Sequence, residues 1–154
     1  MVEIEKILPE VPGSWELFKI KDIGIKSIAG FIAEVREIGR FSSLKQIQKL
    51  AGLSLRENSS GKHKGDTTIN RRGRARLRGI LFNAVIPLLA SNTSFQAIHA
   101  HYTKRENNLL KRKQSVVAIC CKLIRIFYAI LKHGAVYDEQ KMLQDIKWYG
   151  NKAA

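Results

Sequence analysis

The sequence predicts an all-α fold: a compact helical domain with a hairpin-like N-terminal part, a long basic loop and a central apolar helix toward the C-terminus. Three observations carry this expectation. Apolar residues recur at three- and four-residue spacing in several windows. No alternating run of five or more residues reads as a strand, and no internal repeat is visible. Residues 116–131 are apolar on more than one face, as a helix enclosed by others must be. With 154 residues, 45% of them hydrophobic, the chain can bury one core of ordinary size, and no break in composition argues for two.

Taken in order, residues 3–10 read as the end of a helix stopped by Pro9 and Pro12. Residues 15–38 carry two short amphipathic helices, with Leu17, Phe18 and Ile20 on the first and Ile28, Phe31, Ile32 and Val35 on the second. Between them lies Lys21-Asp22-Ile23-Gly24-Ile25-Lys26-Ser27, a tight turn ending in glycine and followed by a helix start. The free N–H groups of such a start can cradle a phosphate, with Gly24 and Lys26 as the contact residues. The arrangement resembles a helix-hairpin-helix, although Asp22 stands where that motif carries glycine; an ordinary helical hairpin is the alternative. Ser42 or Ser43 is expected to cap a third helix with Leu44, Ile47, Leu50 and Ala51 on its apolar face, and Gly52 to end it.

Residues 53–70 show neither helical nor strand periodicity and read as a long loop. A basic helix is expected over 71–90, arginine-rich at first and apolar afterwards, with Pro87 as a kink. Ser94 is expected to cap a shorter helix running through His101 and Tyr102. Residues 104–113 then form a basic linker, and residues 114–132 the central helix, which Gly134 stops. Asp138 is expected to cap a last helix ending near Trp148.

Charge narrows the function. The chain has 27 Lys+Arg against 13 Asp+Glu, a formal net charge of +14 and a pI near 10.1. Its partners should be acidic, nucleic acid first and an anionic membrane surface second. The charge concentrates in residues 61–78, where seven Lys/Arg meet one Asp directly behind Ser59, Ser60 and Gly61. On a helix Arg71, Arg74 and Arg78 would share one face and Arg72 and Arg76 the next; like charges so spaced repel, a cost that a bound polyanion removes. Lys62, Lys64 and this arginine face suit phosphoryl oxygens, and His63 or an unprotonated lysine suits the base that a serine nucleophile requires. By composition alone the Ser-Ser-Gly is a turn.

Other classes fall away. Cys120 and Cys121 are adjacent in an apolar run, so they read as buried free thiols of a reducing cytosol rather than a staple or zinc site. His63, His99, His101 and His133 have no metal-ligand spacing, and Asp22, Glu34 and Glu37 do not pair for two-metal chemistry, so no metal site is expected. The N-terminus lacks the basic region of a signal peptide. The apolar run 116–131, interrupted by Lys122 and Arg125, is sixteen residues long and reads as too short for a membrane span, so no membrane partner is expected.

The order of these blocks resembles the C-terminal transposase domain of the insertion-sequence one-ten family, serine-bearing recombinases that act with a RuvC-like N-terminal domain. The resemblance covers residues 15–138. It rests on Gly24, Arg40-Phe41, Ala51-Gly52-Leu53, Ser60-Gly61, Arg71-Arg72-Gly73 with Leu77-Arg78, and His133-Gly134 with Tyr137-Asp138. It implies that residues 1–14 end a linker helix and that 139–154 form a C-terminal helix and tail. Ser60 would be the nucleophile that forms a covalent phosphoserine bond with DNA, with Ser59 the alternative one register away. The partners implied are DNA, a structured guide RNA and further protomers. The acids that hold Mg²⁺ in the family belong to the preceding domain, so no cofactor is expected in these residues, which should bind nucleic acid without completing transposition. The place of action would be the bacterial cytoplasm, at the nucleoid. A non-catalytic basic helical module binding DNA or RNA, or a small ribosomal-type RNA-binding protein, is the competing expectation.

Overall fold

The computed structural model describes residues 2–56, 59–60, 63–64, 68–144 and 146. Its architecture is all-α, a bundle built around one long helix, with two-residue strands confined to a single excursion. Helix α1 (Val2–Ile7) runs into a 3₁₀ turn, Leu8–Glu10, that holds Pro9 where a missing N–H is harmless. The one-turn helix α2 (Ser14–Leu17) follows; buried Ser14 donates its hydroxyl to Leu8 O at 2.7 Å and ties the two segments together. Helix α3 (Ile25–Val35) buries Ile28, Phe31 and Val35, the stripe expected from its periodicity. Arg36 ends it with φ +61 and ψ −120, while its N–H still reaches Ile32 O at 2.7 Å.

Helix α4 (Leu44–Leu50) starts after Ser43, but no serine hydroxyl caps it. Instead Gln46 Oε1 accepts the Ser42 N–H at 2.9 Å. Its end is as expected. Gly52 takes φ +70, its N–H meets Lys49 O at 3.0 Å, and the Leu53 N–H meets Gln48 O at 2.9 Å. This pair of bonds satisfies the last carbonyls and turns Leu53 into the core.

Residues 53–70 are not a featureless loop. Strand β1 (Leu55–Arg56) pairs antiparallel with β4 (Thr68–Ile69), and β2 (Ser59–Ser60) pairs antiparallel with β3 (His63–Lys64), so the excursion is a ribbon. Pairs of two residues leave no periodicity for a sequence window to detect.

Helix α5 (Ala75–Ser91) begins four residues later than expected and runs through Pro87 without ending. Asn92 both terminates α5 and caps α6 (Thr93–Lys104): its Oδ1 accepts from the N–H groups of Ser94 (3.1 Å) and Phe95 (3.2 Å), and its Nδ2 donates to Lys21 O (2.8 Å). The cap is therefore Asn92 and not Ser94, which lies in the first turn and gives its hydroxyl to Glu139. Helix α7 (Arg112–His133) is the central helix, closed by Gly134 at φ +64. Helix α8 (Glu139–Gln144) starts behind Asp138, whose Oδ1 accepts the Lys141 N–H at 3.2 Å; Trp148 lies outside the described residues.

Helix α7 touches α2, α4, α5 and α6 and supplies the middle of the core. Phe127 meets Phe31 edge to face at 4.7 Å, and Ile119, Cys120, Leu123 and Ile124 are wholly buried. At 22 residues, with a mean hydropathy of 1.7 over its most apolar window, α7 is longer than the sixteen-residue run and meets the length and composition of a membrane span. Here 44% of that window is buried, and its buried residues pack on the other helices. Burial pushes the thiols of Cys120 and Cys121 up, and both are free.

Candidate nucleic-acid interface

The ribbon that carries Ser59 and Ser60 leaves the end of α4 and returns to it. On the return, Asn70 N–H meets Ser54 O at 2.6 Å and Arg74 N–H meets Leu50 O at 2.7 Å. The approach is so close that only glycine fits between them: a Cβ on Gly73 would lie 2.5 Å from Leu50 O, 2.7 Å from Gly52 N and 2.9 Å from Lys49 O, and its φ is +143. Arg78 completes the clamp, its Nη1 donating to Ala51 O at 3.3 Å and to Arg71 O at 3.4 Å. A cation thus meets the carbonyl end of α4, where the helix dipole is negative. The base of the ribbon is fixed to the bundle by backbone contacts on both strands.

Along the ribbon Ser60 stands opposite His63 and Ser59 opposite Lys64 in the ladder. Five residues separate Leu55, in the basal strand pair, from Ser60. Even a fully extended strand keeps Ser60 within about 18 Å of that point. The side chains of Ser59, Ser60, His63 and Lys64 lie outside the described residues, as does Lys62 altogether.

The arginines do not form the helical face expected of them. Gly73 holds the chain extended against α4, so Arg71 and Arg72 precede the helix, Arg74 is its N-cap and only Arg76 and Arg78 stand on it. Their environments differ accordingly. Arg78 is half-buried and spent on the clamp. Arg74 donates through Nη1 to Glu34 O at 2.7 Å and sits 3.6 Å from Glu34 Oε2; Arg76 Nε is 3.3 Å from Glu34 Oε1. Arg71 and Arg72 are exposed, and no described carboxylate lies within 4.0 Å of either. Glu34, which in the sequence has no visible partner, is the acid that meets two arginines some forty residues away. The sequence did hold one signal of the late helix start: a glycine in the supposed first turn costs about 1 kcal/mol relative to alanine and so marks a boundary.

The hairpin residues lie elsewhere. Gly24 is the N-cap of α3, its carbonyl accepting from Ser27 N–H (3.0 Å) and Ile28 N–H (3.2 Å), and Lys26 is exposed in the first turn. Asp22 adopts φ +70, a left-handed conformation that glycine reaches freely and that Asp tolerates better than most residues. Its Oδ2 is buried and has no hydrogen-bond partner among the described residues. The arm before the turn is the single turn α2, shorter than the helix expected there.

Helices α3 and α5 run antiparallel, with Gly30 against Ile80 and Glu34 against Arg74 and Arg76. Gly24 and Lys26 are therefore at the far end of α3 from the ribbon base, roughly 15 Å away along a ten-residue stretch. Among the described residues no three His, Cys, Asp or Glu side chains converge on a metal-sized site.

The chain is similar to the pilin gene-inverting proteins of Moraxella bovis and Moraxella lacunata, 28% identical to each over 126 residues that make up 80% of this chain and 38% of the relative. It thus spans about two-fifths of the length of those relatives. The sequence profile of the IS116/IS110/IS902 transposases matches residues 16–103, which include α3, α4, the ribbon, its arginine base and nearly all of α6. On that match, over more than half of its length, the chain belongs to the IS116/IS110/IS902 transposase family.

Proposed function

We propose that these residues form the DNA-binding, serine-bearing part of a transposase or DNA recombinase that acts in the cytoplasm on nucleoid DNA. One observation carries the reading: the ribbon bearing Ser60 is clamped at its base beside Arg71 and Arg72, two exposed cations without a described acidic partner. A phosphodiester lying across that base would present its phosphorus to the ribbon while the arginines hold its oxygens. Ser60 Oγ attacks phosphorus, a P–O bond to the serine forms, and the bond to one deoxyribose oxygen breaks. The serine proton passes to a base, for which His63, opposite Ser60 in the ladder, is the first choice. Lys62, Lys64, Arg71, Arg72 and, past Glu34, Arg74 and Arg76 offset the charge that builds on the phosphoryl oxygens. Ser59 is the alternative nucleophile. Gly24 and Lys26 hold a second stretch of backbone through the start of α3.

A preceding acidic domain carrying Mg²⁺, a structured guide RNA and further protomers complete the reaction in this reading. Gene inversion, the rearrangement for which the two Moraxella relatives are named, is a recombination of the same kind. The test supplies an acidic domain of the family in trans and looks for a protein–DNA adduct that survives denaturation. Ser60→Ala should abolish the adduct and leave DNA binding intact. An adduct that persists in Ser60→Ala but disappears in Ser59→Ala moves the nucleophile by one residue. DNA binding with no adduct in the unaltered chain leaves the non-catalytic module.

A further inference from the structure

The strongest charge outside the ribbon sits where α6 turns into α7. Residues 104–113 contain five Lys/Arg and one acid, Glu106. Lys104, Lys111, Arg112 and Lys113 are exposed. The loop that carries them is folded back on α6: Leu110 N–H meets Tyr102 O at 2.9 Å, and Arg105 Nε donates to Asn108 O at 2.8 Å. The Arg105 guanidinium also lies 5.4 Å from the centre of the Tyr102 ring.

The placement of the cations is electrostatically unfavourable to the fold. Lys111 is the N-cap of the 22-residue α7, Arg112 and Lys113 are in its first turn, and no acid stands there. The positive end of a helix dipole favours acids, so cations there raise the energy of the folded chain. Gln114 Oε1 accepts the Lys111 N–H at 2.9 Å but carries no charge, so the cations and the helix end together make a concentrated positive field aimed at solvent. The corner is separate from the ribbon base in the chain: helices α5 and α6 run between Arg74 and Lys104.

We propose that this corner is a further nucleic-acid contact, in which the exposed Lys104, Lys111, Arg112 and Lys113 grip the phosphodiester backbone while Arg105 braces the loop. It rests on the reading that the chain binds nucleic acid, and it adds a site that the arginine strip does not contain. A grip here would hold a further stretch of backbone while the ribbon engages the reacting phosphate.

The experiment uses the full chain and two probes of equal phosphate count, a DNA duplex and an RNA hairpin, with anionic-lipid vesicles as a third arm. The double variant Arg112→Gln/Lys113→Gln should leave the melting temperature unchanged or raised, because cations leave the positive end of a dipole. For whichever probe uses the corner, the slope of log K against log salt should flatten by about 1.8, at about 0.9 per lost phosphate contact. The companion Arg71→Gln/Arg72→Gln tests the ribbon base independently. If the corner variant keeps the parent slope to within about 0.5 for both probes while the companion flattens it, the corner is no contact and the proposal falls alone. Loss of vesicle binding only, with both nucleic-acid slopes intact, also overturns it. If the unaltered chain binds neither probe, the nucleic-acid reading itself has failed.

Discussion

Replacing Gly73 by alanine tests whether the clamp at the ribbon base exists as described. The added Cβ would meet three backbone atoms, Leu50 O at 2.5 Å, Gly52 N at 2.7 Å and Lys49 O at 2.9 Å, none of which can rotate away as a side chain could. The φ of +143 is itself closed to alanine, and strain of that kind costs about 1–3 kcal/mol. Relief requires the segment to lift from α4, which breaks the Arg74 N–H to Leu50 O bond, a further loss of about 1 kcal/mol. The sum, roughly 2–4 kcal/mol, corresponds to a fall of about 4–16 °C in melting temperature for a chain of this size. Gly79→Ala is the control. Gly79 lies within α5 and a Cβ there meets nothing within 4 Å, so alanine should stabilise by about 0.5–1 kcal/mol through helix propensity. Thermal melts with hydrogen exchange at the Arg74 amide read both effects. If Gly73→Ala melts within about 2 °C of the parent and the Arg74 amide keeps its protection, the clamp is wrong.

Phe31→Ala removes a wholly buried ring packed edge to face on Phe127 and should lower the unfolding free energy by about 3–5 kcal/mol in denaturant titration. Arg36→Gly should instead raise it by about 1 kcal/mol, because the strain of a non-glycine residue at φ +61 exceeds the entropy cost of glycine. Arg78→Gln should lower stability by about 1–2 kcal/mol, since two carbonyls lose a cationic donor, yet leave the salt slope of DNA binding unchanged. Glu16 gives a pH dependence. Its hydrogen bond to Lys19, then its bond from the Tyr137 N–H, holds its carboxyl below the usual 4.5, so its contribution is present above that pH and lost as pH falls through the lower folded value. Melts across the acid range should show the loss in the parent and a flatter limb in Glu16→Gln. Identical limbs would remove Glu16 from the account.

The parts of this fold that a sequence window could reach were those fixed by neighbours along the chain. The apolar stripe of α3, the Gly52 and Gly134 ends and the two-sided core helix α7 depend on residues within a few positions of one another, and periodicity and capping rules see them. What failed was set at long range. The start of α5 is fixed by Gly73 docking on Leu50, which lies 23 residues earlier, and an arginine-rich run otherwise continues a helix without objection. Serine and asparagine suit an N-cap about equally, so residue type alone does not move the cap from Ser94 to Asn92. Only the packing against Lys21, 71 residues away, selects asparagine, which can accept from α6 and donate to that carbonyl at once.

The same long-range contacts decide how much of the basic strip is available to a partner, and here counting charges misleads. The strip 71–78 holds five arginines, a footprint of about −4.5 in salt slope if each met one phosphate. Arg78 is committed to the end of α4, and Arg74 and Arg76 share Glu34, so before any rearrangement only Arg71 and Arg72 stand free of described acids, a footprint of about −1.8. A domain that must grip DNA more strongly than this has two routes within its own fold. It can release Arg74 and Arg76, both exposed, from the mostly covered Glu34, at a cost on the order of 1 kcal/mol, or it can recruit cations from another surface. The first makes α3, through one carboxylate, a governor of the charge beside the serine ribbon. The second places the burden on the α6–α7 corner, where four exposed Lys/Arg stand within ten residues at the positive end of the 22-residue α7.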